Sequence, residues 1–160
     1  MICLFKKYKP YIVSVLIALA VGGLSALATK GNMDIYSEIV KPPLSPPTVL
    51  FPIVWSVLYV LMGISAGRIY VAHKSGNEDA CGALTVYAIN LAANFLWSIL
   101  FFNLRIFFIS AVWLALLIAI IITMIVKFKN IVPWTGWLQI PYLVWCCFAL
   151  YLNIAIYILN

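Results

Sequence analysis

Asn90, Asn94, Trp97 and Phe101 are spaced i, i+4, i+7 and i+11, so a helix through them carries two amides, an indole and a phenyl ring on one face. Tyr142, Trp145, Ala149 and Asn153 share a face in the same way, running down from Pro141, and Trp55 and Tyr59 stand one turn apart. These groups stack and exchange hydrogen bonds, and they include no general base active near neutral pH. The chemistry they offer is recognition of a flat, apolar molecule with polar edges, in the manner of pockets lined by aromatic rings and a few placed polar groups. A plainer reading has the asparagines joining helices and the rings filling a core. Three separate segments that each pair an indole with a phenol or amide favour the pocket.

The elements that must carry these faces follow from composition. The chain has 160 residues, 66% hydrophobic and 9% charged, with a mean hydropathy of +1.13, which is too little charge to clothe a soluble domain. A helix crosses a bilayer with roughly 20 mostly apolar residues. Five stretches qualify, at about 11–28, 49–71, 84–102, 106–126 and 137–159, and they nearly exhaust the chain. The expected fold is all-α: one integral membrane five-transmembrane-helix bundle over 1–160, with a proline-rich loop at 30–48. Barrel strands would alternate apolar and polar residues, and these runs are apolar on nearly every face.

The net charge of +6 does not point to nucleic acid, because the basic residues sit at helix ends or in short connections. With five spans, Lys6, Lys7, Lys9, Arg68, Lys74, Lys127 and Lys129 fall on one side and Lys30, Lys41 and Arg105 on the other. The positive-inside rule then puts the N-terminus in the cytoplasm. A cleaved leader would also have a basic start and an Ala26-Leu27-Ala28 site. The longer apolar run, and Gly22 and Gly23 beside Ser25 and Ala26, favour a retained, closely packed helix. Cys3, Cys81, Cys146 and Cys147 make no C-x-x-C spacing and read as apolar filler.

Absences exclude several classes. The acidic residues Asp34, Glu38, Glu78 and Asp79 all fall in expected loops, whereas ion-coupled pumps need ionisable groups at membrane depth. His73, the single histidine, stands at the end of the second span and cannot supply the axial ligands of a bundle haem. There is no metal-ligand cluster and no serine with a histidine in helical reach. No cofactor and no metal are expected. Trp134 and Trp137, next to Lys127 and Lys129, read as interfacial indoles. Trp113, without a polar neighbour on its face, is expected to meet lipid or another subunit. Ala18-x-x-x-Gly22-x-x-x-Ala26 and Ala88-x-x-x-Ala92 are small-residue patterns that seal helices or form a dimer face.

The segment KPPLSPPTVLFPIVW, residues 41–55, holds five prolines. Proline fixes φ and lacks an N–H, so 42–47 favours a stiff extended loop over the bundle mouth. Pro52 fits the first turn of the second helix, with Trp55 just below.

Here the chain resembles a known family. Tyr36, Lys41-Pro42, Pro46-Pro47, Phe51-Pro52, Trp55 and Leu58-Tyr59 are similar to the signature of the TspO/translocator protein family, which includes tryptophan-rich sensory proteins and the peripheral-type benzodiazepine receptor. Asn94-x-x-Trp97 with Phe101-Phe102, and Pro141-Tyr142-Leu143-x-Trp145-x-x-Phe148-Ala149 with Leu152-Asn153, agree in order along all five spans. The resemblance implies a commonly dimeric bundle that binds porphyrins such as protoporphyrin IX, or flat apolar drugs. It implies a cavity lined by Tyr36, Pro46, Phe51, Trp55, Tyr59, Asn94, Trp97, Trp145, Ala149 and Asn153. Phe101 and Tyr142 join this set from their places on the two faces above. Departures are Ile35 in place of a tryptophan, Ile99 in place of a proline, and no basic residue after Tyr157, which breaks the proposed sterol motif.

The resulting expectation is a membrane receptor or carrier for porphyrin-type tetrapyrroles, acting in stress or tetrapyrrole regulation, in a bacterial cytoplasmic membrane. Its expected partners are the porphyrin or another small apolar ligand, membrane lipid and a second copy of the chain. The alternative is an enzyme of light- and oxygen-dependent protoporphyrin IX breakdown, with Trp55 and Trp145 as its catalytic pair. A third reading is a structural bundle without a ligand.

Overall fold

The computed structural model describes residues 2–32 and 38–160, with side chains from Tyr8 onward. Tyr36 therefore lies outside the described residues. Among the described residues six α-helices follow in order: α1 (Ile2–Thr29), α2 (Leu50–Lys74), α3 (Asp79–Ser98), α4 (Phe107–Ile131), a short α5 (Pro133–Trp137) and α6 (Ile140–Leu159). They supply five segments long and apolar enough to cross a membrane: Tyr8–Asn32, Leu50–Lys74, Asp79–Asn103, Phe107–Ile131 and Pro133–Leu159. Helices are what a bilayer demands, since each backbone N–H and C=O must find its partner within the segment. The chain is an integral membrane protein of the all-α class.

Neighbours along the bundle are α1–α2, α2–α3, α3–α4 and α4–α6. α1 and α2 lie closest. A Cβ on Gly63 would collide with the backbone of Val15, and one on Gly67 would stand 2.8 Å from Tyr11 Cα. This Gly63-x-x-x-Gly67 step lets two backbones touch where no side chain fits. α6 reaches α2 and α3 through long side chains rather than backbone proximity. Tyr142 Oη donates to Asn90 Oδ1 at 3.0 Å, and Gln139 Nε2 donates to Ser65 Oγ at 2.7 Å.

Three features differ from the apolar runs. α4 continues to Ile131, because Val126 to Ile131 still packs against the core through the fully buried Phe128. The last span opens with α5, started by Pro133 in its first turn, and turns at Leu138–Gln139 into α6. α3 ends in a single π-helical turn, Ile99–Asn103, where the wider winding re-aims the side chains. Phe101 stays buried within that turn.

Trp113 corrects an expectation. It is partly buried, and its indole Nε1 donates to the Ala93 carbonyl of α3 at 2.8 Å. The polar partner is a backbone oxygen on another helix, which side-chain spacing along α4 could not reveal. Trp134 and Trp137 are exposed, and the Lys129 ammonium lies 4.5 Å from the Trp137 ring.

The described part of the proline-rich loop is tied down. Ser45 N donates to Pro42 O at 3.3 Å, and Leu50 N to Pro47 O at 2.9 Å. Tyr151 Oη donates to Pro43 O at 3.0 Å. Asn160 grips Val40 from both sides, accepting from its N–H at 2.9 Å and donating to its carbonyl at 3.3 Å. Arg105 Nη1 stands 3.4 Å from Glu38 Oε2 in an exposed ion pair, which adds little on its own.

Candidate functional site

The upper half of the bundle, nearer this loop, is hollow. A cavity of about 270 Å³ lies between α1, α2 and the end of α3. Trp55, Tyr59, Asn94 and Trp97 form its aromatic and amide wall, and Phe51 and Phe102 border it above. The rings are tilted against one another around the space. Trp55 and Trp97 have centroids 6.3 Å apart, and Trp55 and Tyr59 5.8 Å.

Hydrogen bonds between side chains knit the floor together. Asn94 Nδ2 donates to Tyr59 Oη at 3.0 Å, and both side chains are buried. One layer below, Asn90 joins Tyr142 and lies 3.7 Å from Met62 Sδ. Below that, Gln139 also donates to Leu61 O at 3.3 Å, while Ser65 Oγ donates to Thr135 O at 3.2 Å. These stacked amide pairs tie α2, α3 and the start of the last span together, and of their groups Gln139 Oε1 is left without a partner.

Two hydroxyls of the α1 and α2 walls are satisfied locally. Thr29 Oγ1 donates to Ser25 O at 2.9 Å, and Ser56 Oγ to Pro52 O at 2.7 Å. Trp97 is different: it is 7% exposed, and its Nε1 has no partner. A buried donor left unmade costs about 1–3 kcal/mol.

A second, smaller cavity of about 50 Å³ adjoins the first, behind Phe51, Trp97 and Phe102. Its far wall is Ala149, Leu152, Asn153 and Ile156 of α6, with Phe101 beside them. Asn153 is not free to turn into it. Its Nδ2 donates to Ser110 Oγ at 2.8 Å, joining α6 to α4.

The structure thus divides the residues picked out by spacing. Phe51, Trp55, Tyr59, Asn94 and Trp97 meet at the larger cavity, and Phe101, Ala149 and Asn153 at the smaller. Tyr142 is wholly buried, an edge-on spacer 6.1 Å from Trp55. Pro46 is half-buried in the loop and borders neither cavity. Trp145 stands on the far side of Phe51, 5.9 Å from it, where it borders an open apolar groove between α2 and α6. Its indole N–H is also without a partner.

Sequence spacing missed the α1 side of the cavity, made by Leu19, Gly22, Gly23, Ser25, Ala26 and Thr29. Gly22 was visible as a small residue, yet its role here is to admit the Tyr59 ring, which a Cβ would strike. Gln139, Tyr151 and Asn160 were missed as well, since a single amide or phenol at a helix end has no periodic signal.

Among the described residues no group of three or more His, Cys, Asp or Glu side chains gathers as a metal site would. The cavity walls carry no ionisable group other than the Tyr59 phenol. The arrangement can stack, hydrogen-bond and exclude water.

Comparison with known proteins agrees with this architecture. The model of the TspO/MBR family matches residues 14–159. The chain is 36% identical over 151 residues to the tryptophan-rich protein TspO of Archaeoglobus fulgidus, covering 93% of this chain and 95% of that one. It is 35% identical over 125 residues to protein CrtK of Rhodobacter capsulatus, covering 78% of each. It is 32% identical over 133 residues to the translocator protein of Bos taurus, covering 82% of this chain and 79% of that one. A match along nearly the whole length, on a bundle whose aromatic and amide residues converge, means that the chain belongs to the TspO/MBR family.

Proposed function

We propose that this protein is a membrane receptor or carrier that holds flat apolar ligands with polar edges, of the porphyrin type, in the cavity between α1, α2 and α3. The observation that carries this reading is the 270 Å³ cavity itself, walled by Trp55, Tyr59, Asn94 and Trp97 at membrane depth. Stacking surfaces are presented with one unmet donor nearby, on Trp97. Ligand pockets usually measure about 300–1,000 Å³, so a tetrapyrrole requires the partition of Phe51 and Phe102 to swing aside and merge the two cavities. Relatives named translocator protein and tryptophan-rich sensory protein support a receptor or carrier role.

Breakdown of porphyrin by Trp55 and Trp145 would need both indoles against one ligand. Trp145 borders the outer groove and not the cavity that Trp55 lines, which favours binding over catalysis. The rest of the reading is a homodimer, for which the exposed Ala88 and Ala92 face of α3 is suited, in a bacterial cytoplasmic membrane with the N-terminus in the cytoplasm.

The test is a titration of the purified protein with protoporphyrin IX, followed by indole fluorescence in the dark and then in light with oxygen. Saturable quenching without loss of porphyrin absorbance is the expected result. Porphyrin loss that vanishes in Trp55→Phe and in Trp145→Phe would establish the enzyme instead, and no quenching would leave a structural bundle.

A further inference from the structure

The exposed residues that line the larger cavity all lie on α1 and α2. Below, α1 and α2 are zipped together by Gly63 against Val15, Gly67 against Tyr11, and Gly22 against the Tyr59 ring. Towards α3, the top of α1 is stitched to the π turn by a single residue. Asn103 Nδ2 donates to Ala28 O at 2.9 Å, and Asn103 Oδ1 accepts from Asn32 Nδ2 at 3.1 Å. Above, the described loop is held by Tyr151 and Asn160. The remaining seam is between the upper halves of α1 and α2. There, Gly23 and Ala26 on one helix and Pro52 and Ser56 on the other both border the cavity and face outward as exposed residues. The α3 residues that border the cavity, Asn94, Trp97 and Ser98, are buried or half-buried.

We propose that ligands enter and leave this cavity sideways, from the acyl-chain layer of the bilayer, through the wedge between α1 and α2 bounded by Gly23, Ala26, Pro52 and Ser56. The reading rests on the cavity being the binding site. The rim belongs to the spans Tyr8–Asn32 and Leu50–Lys74, with Pro52 near the start of the second, so acyl chains are the expected surroundings of Gly23, Ala26 and Ser56. It is built to tolerate lipid. Gly23 and Ala26 are small, Pro52 has no N–H, and the one hydroxyl, on Ser56, is satisfied by Pro52 O. A Cβ at Gly23 would meet nothing within 4 Å, which leaves the passage clear. An apolar ligand is already concentrated in the bilayer, and this path spares it any passage through the tied loop. The wedge widens by hinging α1 away from α2 above Gly22, while the glycine contacts below hold the two helices together.

The test is stopped-flow quenching of indole fluorescence by protoporphyrin IX, with the full chain in lipid nanodiscs. Ser56→Phe and Ala26→Phe place a ring in the wedge from opposite sides, and both sites are exposed enough to accept it. A blocked passage raises the barrier in both directions. Association and dissociation should each slow by about tenfold or more, whatever shift in the equilibrium constant the new wall rings add. Unchanged rates in both variants, with wild-type affinity, would overturn lateral passage and leave binding intact. Faster dissociation with normal association would mark the two residues as ligand contacts and overturn it too. If the wild-type protein gives no saturable quenching, the binding reading fails and this inference falls with it. Should one variant fold poorly, as judged by size-exclusion profile, the other still decides.

Discussion

The two halves of the bundle are held together in opposite ways. In the lower half, backbones touch at Gly63 and Gly67, and Met62, Ile69, Ala80, Ala83, Met124 and Phe128 have essentially no exposed surface. In the upper half, the helices are propped apart by rings, and both cavities lie there. The boundary is the Tyr59–Asn94 pair, which is both a rung of the lower amide ladder and the floor of the upper space. The contrast shows how a small all-α membrane protein can hold an empty volume. One end is packed tightly enough to fix the helix directions, so the other end need not collapse.

The contrast can be broken most severely at the zipper. Gly63→Leu drives a side chain into the Val15 backbone, where overpacking costs about 1–3 kcal/mol or more. The expected result is a much lower thermal unfolding midpoint in detergent. The same change at Gly23, facing open space in the upper half, should cost under about 0.5 kcal/mol. Equal losses at both glycines would show that the halves do not differ in packing.

Next in size is Trp97→Phe, which removes the unpaired indole N–H from the wall shared by both cavities. Protoporphyrin affinity in the dark should fall by about tenfold, the worth of a hydrogen bond of ordinary strength. Stability should hold or rise, because an unsatisfied buried donor is lost. Equilibrium quenching titrations and thermal scans on one preparation separate these effects.

Tyr59→Phe at the boundary leaves Asn94 Nδ2 without its partner. Hydrogen bonds between membrane helices average about 0.6 kcal/mol, so a small loss of stability is expected, measured by unfolding in mixed micelles. The smallest effect belongs to Trp145→Phe. That residue borders the outer groove and not the larger cavity, so dark affinity should stay within about twofold, under about 0.5 kcal/mol. A large loss there would mean that the ligand sits between α2 and α6.

Much of this was legible in the residues. Apolar length defined five spans, and the amide and indole spacing on α3 pointed Asn90, Asn94 and Trp97 inward, where they are buried. Periodicity reports which face of a helix turns inward, not which neighbour it meets. Trp97 and Trp145 therefore looked equivalent, although Phe51 parts them. Trp113 looked outward-facing, although a backbone carbonyl on α3 receives its proton. The α1 wall showed only as a small-residue pattern through Gly22 and Ala26, which signals close packing and not a cavity, and the anchors at Tyr151 and Asn160 left no trace because their partners are backbone atoms 108 and 120 residues away.

The most direct measurement is an experimental structure of the protein in lipid with protoporphyrin IX bound. The predicted result is density between α1, α2 and α3, against the rings of Trp55 and Trp97, with Phe51 displaced toward α6. Density confined to the outer groove beside Trp145, with the α1–α2–α3 cavity empty, would contradict it.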